Sequence, residues 1–186
     1  MESRFGTLTY GRRPEGYDAW VFRETSGGGA VTLPYAVTPE GEILVGLLPE
    51  KRPNMGSMPV LCVVGGFVEP GETHEKAQAR EAEQEAGINT VKAKKLGGVG
   101  INPNRAFFVA DPGAGEGVQA FGLQLPFNML EADDDLCWKL KSANELASVK
   151  KASDLRFFRW RHAAHLSPDG LALAAIAKLI AEVLPR

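Results

Sequence analysis

Two glutamates near the middle of the chain, Glu81 and Glu85, stand four residues apart in a run that reads as helix. At a helical turn of about 100° per residue they lie about 40° apart on one face. Gln84 lies about 60° from Glu81 on the other side, while Glu83 lies about 200° away and points elsewhere. One helix face therefore offers two carboxylates and an amide oxygen to one point in space. Upstream, Gly65-Gly66 closes a short apolar run, Val60 to Val64. Two residues without side chains leave room there for a phosphate or a cation, and a backbone carbonyl could add a donor. Hard oxygen donors suit Mg²⁺, which takes one or two carboxylates, several waters and substrate phosphate oxygens. Taken alone, a glutamate-rich helix is better explained as a solvated surface helix, since propensity and exposure account for its glutamates.

These residues need elements to hold them. Thr73 is a good helix N-cap and Gly87 a good residue past the helix end, so the spacing predicts a helix from Thr73 to Ala86. Ala79, Ala82 and Ala86 form a small-residue stripe that would let this helix approach a sheet closely. Strand patterns run over Ala30 to Val37 and Glu42 to Leu48, joined by a turn at Pro39-Glu40-Gly41, and Val60 to Val64 reads as a short buried strand ending at the two glycines. Val91 to Val99, Arg105 to Ala110, Gly117 to Leu125 and Leu155 to Trp160 also have strand character. Asn128 to Asp135 reads as an acidic loop, and Ser167-Pro168 as the cap of a C-terminal helix. Before residue 30 the chain is polar with scattered aromatics, and Ser26 to Gly29 reads as a flexible hinge. The class is α+β, with a small N-terminal β appendage over 1–29 and a main domain over 30–186.

The chain has 186 residues and a formal net charge of −2. That size fits one domain with a small addition, able to bury a core without metal or disulfide support. A near-neutral balance argues against a protein that coats nucleic acid, and no run is long and apolar enough for a membrane span. Cys62 and Cys137 make no metal-ligand pattern, and a reducing, cytoplasmic setting is the simplest expectation.

The longer spacing is more specific than the helix. Gly66, five residues, Glu72, seven residues, Arg80-Glu81, then Glu85, one residue, Gly87-Ile88 resembles the Nudix box, G-x5-E-x7-R-E-U-x-E-E-x-G-U with U bulky and apolar. The resemblance implies the Nudix α/β/α sandwich with a mixed sheet, and a hydrolase that cleaves a nucleoside diphosphate linked to another group. It further implies Mg²⁺ or Mn²⁺ held by Glu81 and Glu85 with the Gly65 carbonyl as a third donor, and an ion pair between Glu72 and Arg80 that fixes the loop against the helix. Two positions depart from the box. Ala82 stands where a larger apolar residue is usual. Gln84 stands for the first glutamate of the Glu-Glu pair; its amide can coordinate but brings no charge, which weakens the hold on an additional metal.

Within that family the chain is most similar to the ADP-ribose and nucleotide-sugar pyrophosphatases. The strand pair ending in Arg52-Pro53, the position of Pro103 and the N-terminal β segment carry that likeness. It implies that Arg52 reaches the substrate phosphates, that the appendage supports a homodimer, and that the general base is an acidic residue of a late loop, with Glu131 the first choice and Glu81 the fallback. Arg105 is a further candidate for phosphate or ribose contact. The expected partner is a small-molecule nucleotide. The alternatives are a Nudix hydrolase for another nucleotide such as a dinucleotide, and a nucleotide-binding sensor weakened by Gln84.

Overall fold

The apolar runs are strongest between residues 29 and 50, and there the central hairpin forms: β4 (Gly29–Val37) and β5 (Ile43–Glu50), with odd residues on one face of the sheet, even residues on the other, and both faces buried. The structure is a computed structural model that describes residues 2–3, 6–12, 16, 18–24, 28–52, 56–89, 92–97, 117–141 and 154–184. Ahead of the hairpin, β1 (Glu2–Ser3), β2 (Gly6–Arg12) and β3 (Asp18–Glu24) form a small antiparallel sheet of their own. After it come β6 (Val60–Cys62), β7 (Val64–Phe67), α1 (His74–Ala86), β8 (Lys94–Leu96) and β9 (Val118–Gln124). The chain ends with β10 (Leu130–Ala132), β11 (Cys137–Leu140), β12 (Arg156–Arg159), α2 (Trp160–Leu166) and α3 (Gly170–Val183).

Among the described residues nine strands make the main sheet, in the order β10-β11-β12-β5-β4-β9-β8, with β6 on β5 and β7 on β4. Only the β4–β9 pair is parallel, so the sheet is mixed. Ala36, Leu44, Leu48, Val64 and Phe157 pack with Ala82 and Ala86 of α1 on one face. Val31, Leu33, Val45, Leu47 and Phe158 pack with Ala172, Ala175, Ile176 and Leu179 of α3 on the other. The expected α/β/α sandwich is therefore the fold.

The site is positioned by a fork. β5 pairs with β4 over Tyr35–Val37, but its far end, Leu48 to Glu50, pairs with β6 instead. The start of β4, Gly29 to Thr32, pairs with β7. The chain crosses from one prong to the other at Val63, whose N–H is taken by Asp169 Oδ2 at 3.0 Å. The strand expected to stop at Gly65-Gly66 thus breaks at Val63 and resumes through both glycines to Phe67. Helix α1 begins and ends as its sequence indicates: Thr73 Oγ1 accepts from the Lys76 N–H, and Gly87 takes the left-handed conformation, φ 65°, with its N–H closing on the last turn.

Other expectations are corrected. Ala79 is exposed and Ala77 takes its place in the buried stripe beside Ala82 and Ala86. The acidic segment is not a plain loop, since it holds a 3-10 turn at Phe127–Met129 and strand β10. Strand β11 and helix α2 had no clear signal, because each is short and owes its form to the sheet and core beside it. The C-terminal helix starts after Asp169, not at Ser167-Pro168: the Asp169 carboxylate accepts from the Leu171 N–H. Of Val91 to Val99, the described strand is Lys94–Leu96. Pro103 and the run Arg105 to Ala110 lie outside the described residues.

Candidate active site

Helix α1 lies close enough to β7 for its carboxylates to touch the strand backbone. Glu85 Oε2 accepts from the Gly65 N–H at 3.0 Å. Glu81 packs its carboxylate against Gly66, where a Cβ would stand 2.3 Å from Oε1. At Gly65 a Cβ would stand 2.3 Å from the Ala30 carbonyl oxygen of β4. Both glycines are thus required by close approach, one to a carboxylate and one to the neighbouring strand.

Arg80 ties the loop between β7 and α1 to the helix. Its Nε and Nη2 donate to Glu72 Oε1 and Oε2 at 3.1 and 3.0 Å, a two-pronged pairing that fits the planar guanidinium. Nη2 also donates to the Phe67 carbonyl at 2.9 Å, and Nη1 to Glu81 Oε1 at 2.6 Å. Glu72 in turn accepts from the Glu69 N–H. The Arg80 hydrogen bonds hold the Glu72 carboxyl below its ordinary range. One guanidinium therefore sets both the loop and the orientation of Glu81.

Glu85 is the most perturbed acid of the site. Burial pushes its carboxyl up to about 7, partly offset by the Gly65 N–H, while the charges of Glu50 and Glu81 add to the rise and Arg52 opposes it. A buried acid with two anionic neighbours is the environment a cation relieves. Among the described residues no group of three or more His, Cys, Asp or Glu side chains is arranged to hold a metal by itself. Two carboxylates, each with one oxygen engaged by the protein and one remaining, still fit an ion that keeps waters and takes substrate oxygens. Glu81 and Glu85 would hold it, with the Gly65 carbonyl beside them. Gln84 is exposed on the helix.

A cleft opens at the fork, lined by Gly65, Gly66, Phe67, Arg52 and Asp169 over a floor that includes Val31 and Leu171. Arg52 is thus brought to the glycines. Glu131 is not brought there in the same way: its carboxylate is 3.7 Å from Lys139 Nζ, on the neighbouring strand. The register runs Glu131, Lys139, Arg156, Leu47, which puts Glu131 three strand spacings, about 14 Å, from β5. Its neighbour Leu130 joins the core under α1, so by alternation Glu131 points to the opposite face. Arg105 lies outside the described residues. Sequence reading missed Glu50, Phe67 and Asp169. The signals available were weak: Glu50 and Arg52 alternate at a strand end, and Asp169 is a good N-cap.

Residues 30–121, about half of the chain, match the model of the NUDIX domain. No curated protein sequence matches the chain significantly. Among solved structures, a mutT/nudix family protein from Listeria innocua is similar with a TM-score of 0.56 at 17% identity, over 87% of this chain and 96% of that one. The NUDIX domain of Shewanella oneidensis NrtR, complexed with ADP ribose, gives 0.53 at 14% identity over 87% and 91%. C. elegans Ap4A hydrolase gives 0.53 at 17% identity over 86% and 100%. At such identities these likenesses speak for the fold.

Two outcomes follow from the geometry. Gly66→Ala forces the Glu81 carboxylate aside, so turnover of a nucleoside diphosphate derivative falls about 100-fold while the melting temperature hardly moves; activity near wild type would show that Glu81 need not lie there. Glu72 has a lowered folded pKa, so its pairing with Arg80 stabilises the protein above the unfolded value of about 4.3 and is lost as pH falls through the folded value. Melting curves of wild type and Glu72→Gln should therefore differ most near pH 7 and converge only as pH falls below the lowered folded value. A strand fork carrying a Nudix box, with two carboxylates on its glycines, accounts for the family match: residues 30–121 form a NUDIX domain, and the chain belongs with the Nudix hydrolases, pyrophosphatases that act on nucleoside diphosphate derivatives.

Proposed function

We propose that the protein hydrolyses the pyrophosphate bond of ADP-ribose or a closely related nucleotide sugar, releasing AMP and a sugar phosphate. The observation that carries this reading is that Arg52 lines one cleft with Gly65 and Gly66, the two glycines against which Glu85 and Glu81 lie. Arg52 supplies a planar fork for phosphate oxygens, and the glycines let the diphosphate approach the strand backbone. A divalent cation at Glu81 and Glu85, with Mg²⁺ or Mn²⁺ the candidates, would polarise the diphosphate and lower the pKa of an attacking water. Glu72 and Arg80 hold the Glu81 carboxylate against Gly66. Arg105 is retained as a second phosphate or ribose contact.

The base is either Glu131 or Glu81. Glu131 can serve only if its segment moves, since its carboxylate now pairs with Lys139; Glu81 needs no such motion. The NrtR domain complexed with ADP ribose shares this fold and is compatible with an ADP-ribose substrate. A setting in the cytoplasm agrees with two free thiols and with the lack, among the described residues, of a helix long and apolar enough to cross a membrane.

The assembly reading is a homodimer through the N-terminal segment. Among the described residues, strands β2 and β3 pair over their full length with only the two-residue β1 beside them, and their pairing is internal. So narrow a sheet needs an apolar surface to rest on, and a second copy of the chain would supply one.

The substrate is tested by coupling phosphate release to a phosphatase, with ADP-ribose, other nucleotide sugars and Ap4A as a panel. ADP-ribose should be the best substrate, and Glu85→Gln should lower its turnover about 100-fold. Equal activity of the variant would remove Glu85 from the cation site, and preference for Ap4A would replace the substrate. Light scattering should give twice the chain mass of 20.0 kDa, and a chain lacking residues 1–24 should be a monomer. A monomeric full chain would end the dimer reading.

A further inference from the structure

Glu50 is outside the box, yet it stands against the site. At the end of β5 it lies two residues past Leu48 and so shares the face that α1 covers. Its Oε2 is 2.7 Å from Arg52 Nη2, and its negative charge repels that of Glu85. On charge alone, a third anion beside Glu85 and a diphosphate cleft is unfavourable. What it gains is the placement of Arg52. That arginine sits just past the strand end with its side chain 48% exposed, and a free arginine side chain samples many rotamers. Here Glu50 takes one edge of the guanidinium. Glu50 is itself fixed, being paired with Val60 in the β5–β6 ladder.

We propose that Glu50 is a positioning residue, which holds the Arg52 guanidinium at the fork so that the phosphate-binding group is in place before substrate arrives. This rests on the reading of Arg52 as a substrate contact. Ordering a long side chain in advance removes part of the entropy cost that binding otherwise meets. Glu50 need not lose Arg52 when a diphosphate binds, because the guanidinium has five donors and Glu50 occupies one edge.

Inorganic pyrophosphate in Mg²⁺ is the probe for the grip without turnover, and ADP-ribose kinetics reads it during turnover. Glu50→Ala and Glu50→Gln should each weaken calorimetric pyrophosphate binding about tenfold and raise KM for ADP-ribose more than they lower kcat. Glu50→Asp should recover part of the loss. The Glu50→Ala, Arg52→Ala double variant should bind no more weakly than Arg52→Ala alone, since both changes remove one interaction. Unchanged or tighter pyrophosphate binding in Glu50→Ala would overturn the proposal, because the charge would then act only by repulsion. So would additive losses, or a wild type that does not bind pyrophosphate. A wild type inert toward ADP-ribose that keeps the pyrophosphate pattern would support Glu50 and overturn the substrate reading alone.

Discussion

Everything in the site depends on how closely helix α1 approaches strand β7. The carboxylates of Glu81 and Glu85 reach the strand backbone because Gly65 and Gly66 carry no side chain and because Ala77, Ala82 and Ala86 are the buried residues that face the sheet. Each extra carbon between helix and strand would push the acids away from the strand backbone. A bulky apolar residue at position 82 is usual in the box. With alanine there, the helix packs through its backbone and small side chains, and close packing of this kind is sensitive to single methylenes.

The same closeness has an electrostatic cost, which the surrounding residues offset. Glu85 is partly buried with Glu81 and Glu50 as anionic neighbours, and its carboxyl is raised to about 7 in consequence. Arg80 neutralises one side of this cluster through Glu81 and Glu72, and Arg52 the other through Glu50. The two arginines divide the work. Arg80 faces the loop and is committed to four protein acceptors, whereas Arg52 lines the open cleft and retains donors for a ligand. A cation between Glu81 and Glu85 would complete the balance.

The fork explains why cleft and box coincide. Where β4 and β5 splay, a ladder cannot continue across the gap, and backbone N–H groups there need other partners. Val63 finds Asp169 and Gly65 finds Glu85. Ser167 Oγ donates to the Leu61 carbonyl at 2.7 Å, pinning the turn before α3 to the same prong. The cleft wall is therefore built from residues some hundred positions apart in the chain, held by the groups that the split sheet leaves unpaired.

How much was legible follows from this. The helix, its caps and the acid spacing are local: Thr73, Gly87, Glu81 and Glu85 act through neighbours a turn away, and a repeating 100° step is readable from order alone. The central hairpin is local too, since two apolar runs and the turn at Gly41 mark it. Asp169 and Glu50 were not placed by any such pattern, and Arg52 was picked out only by the likeness of its strand pair, because what matters about them is which backbone or side chain they meet in the folded chain. Strand β11 and helix α2 are short, and sheet pairing and burial decide their form. By itself, the sequence determined the chemistry on offer, two oxygen anions on one helical face beside two residues without side chains. Only the tertiary structure decided where that chemistry points, because the splitting of β4 from β5 sets the cleft, and hydrogen bonds across the split tie its walls together.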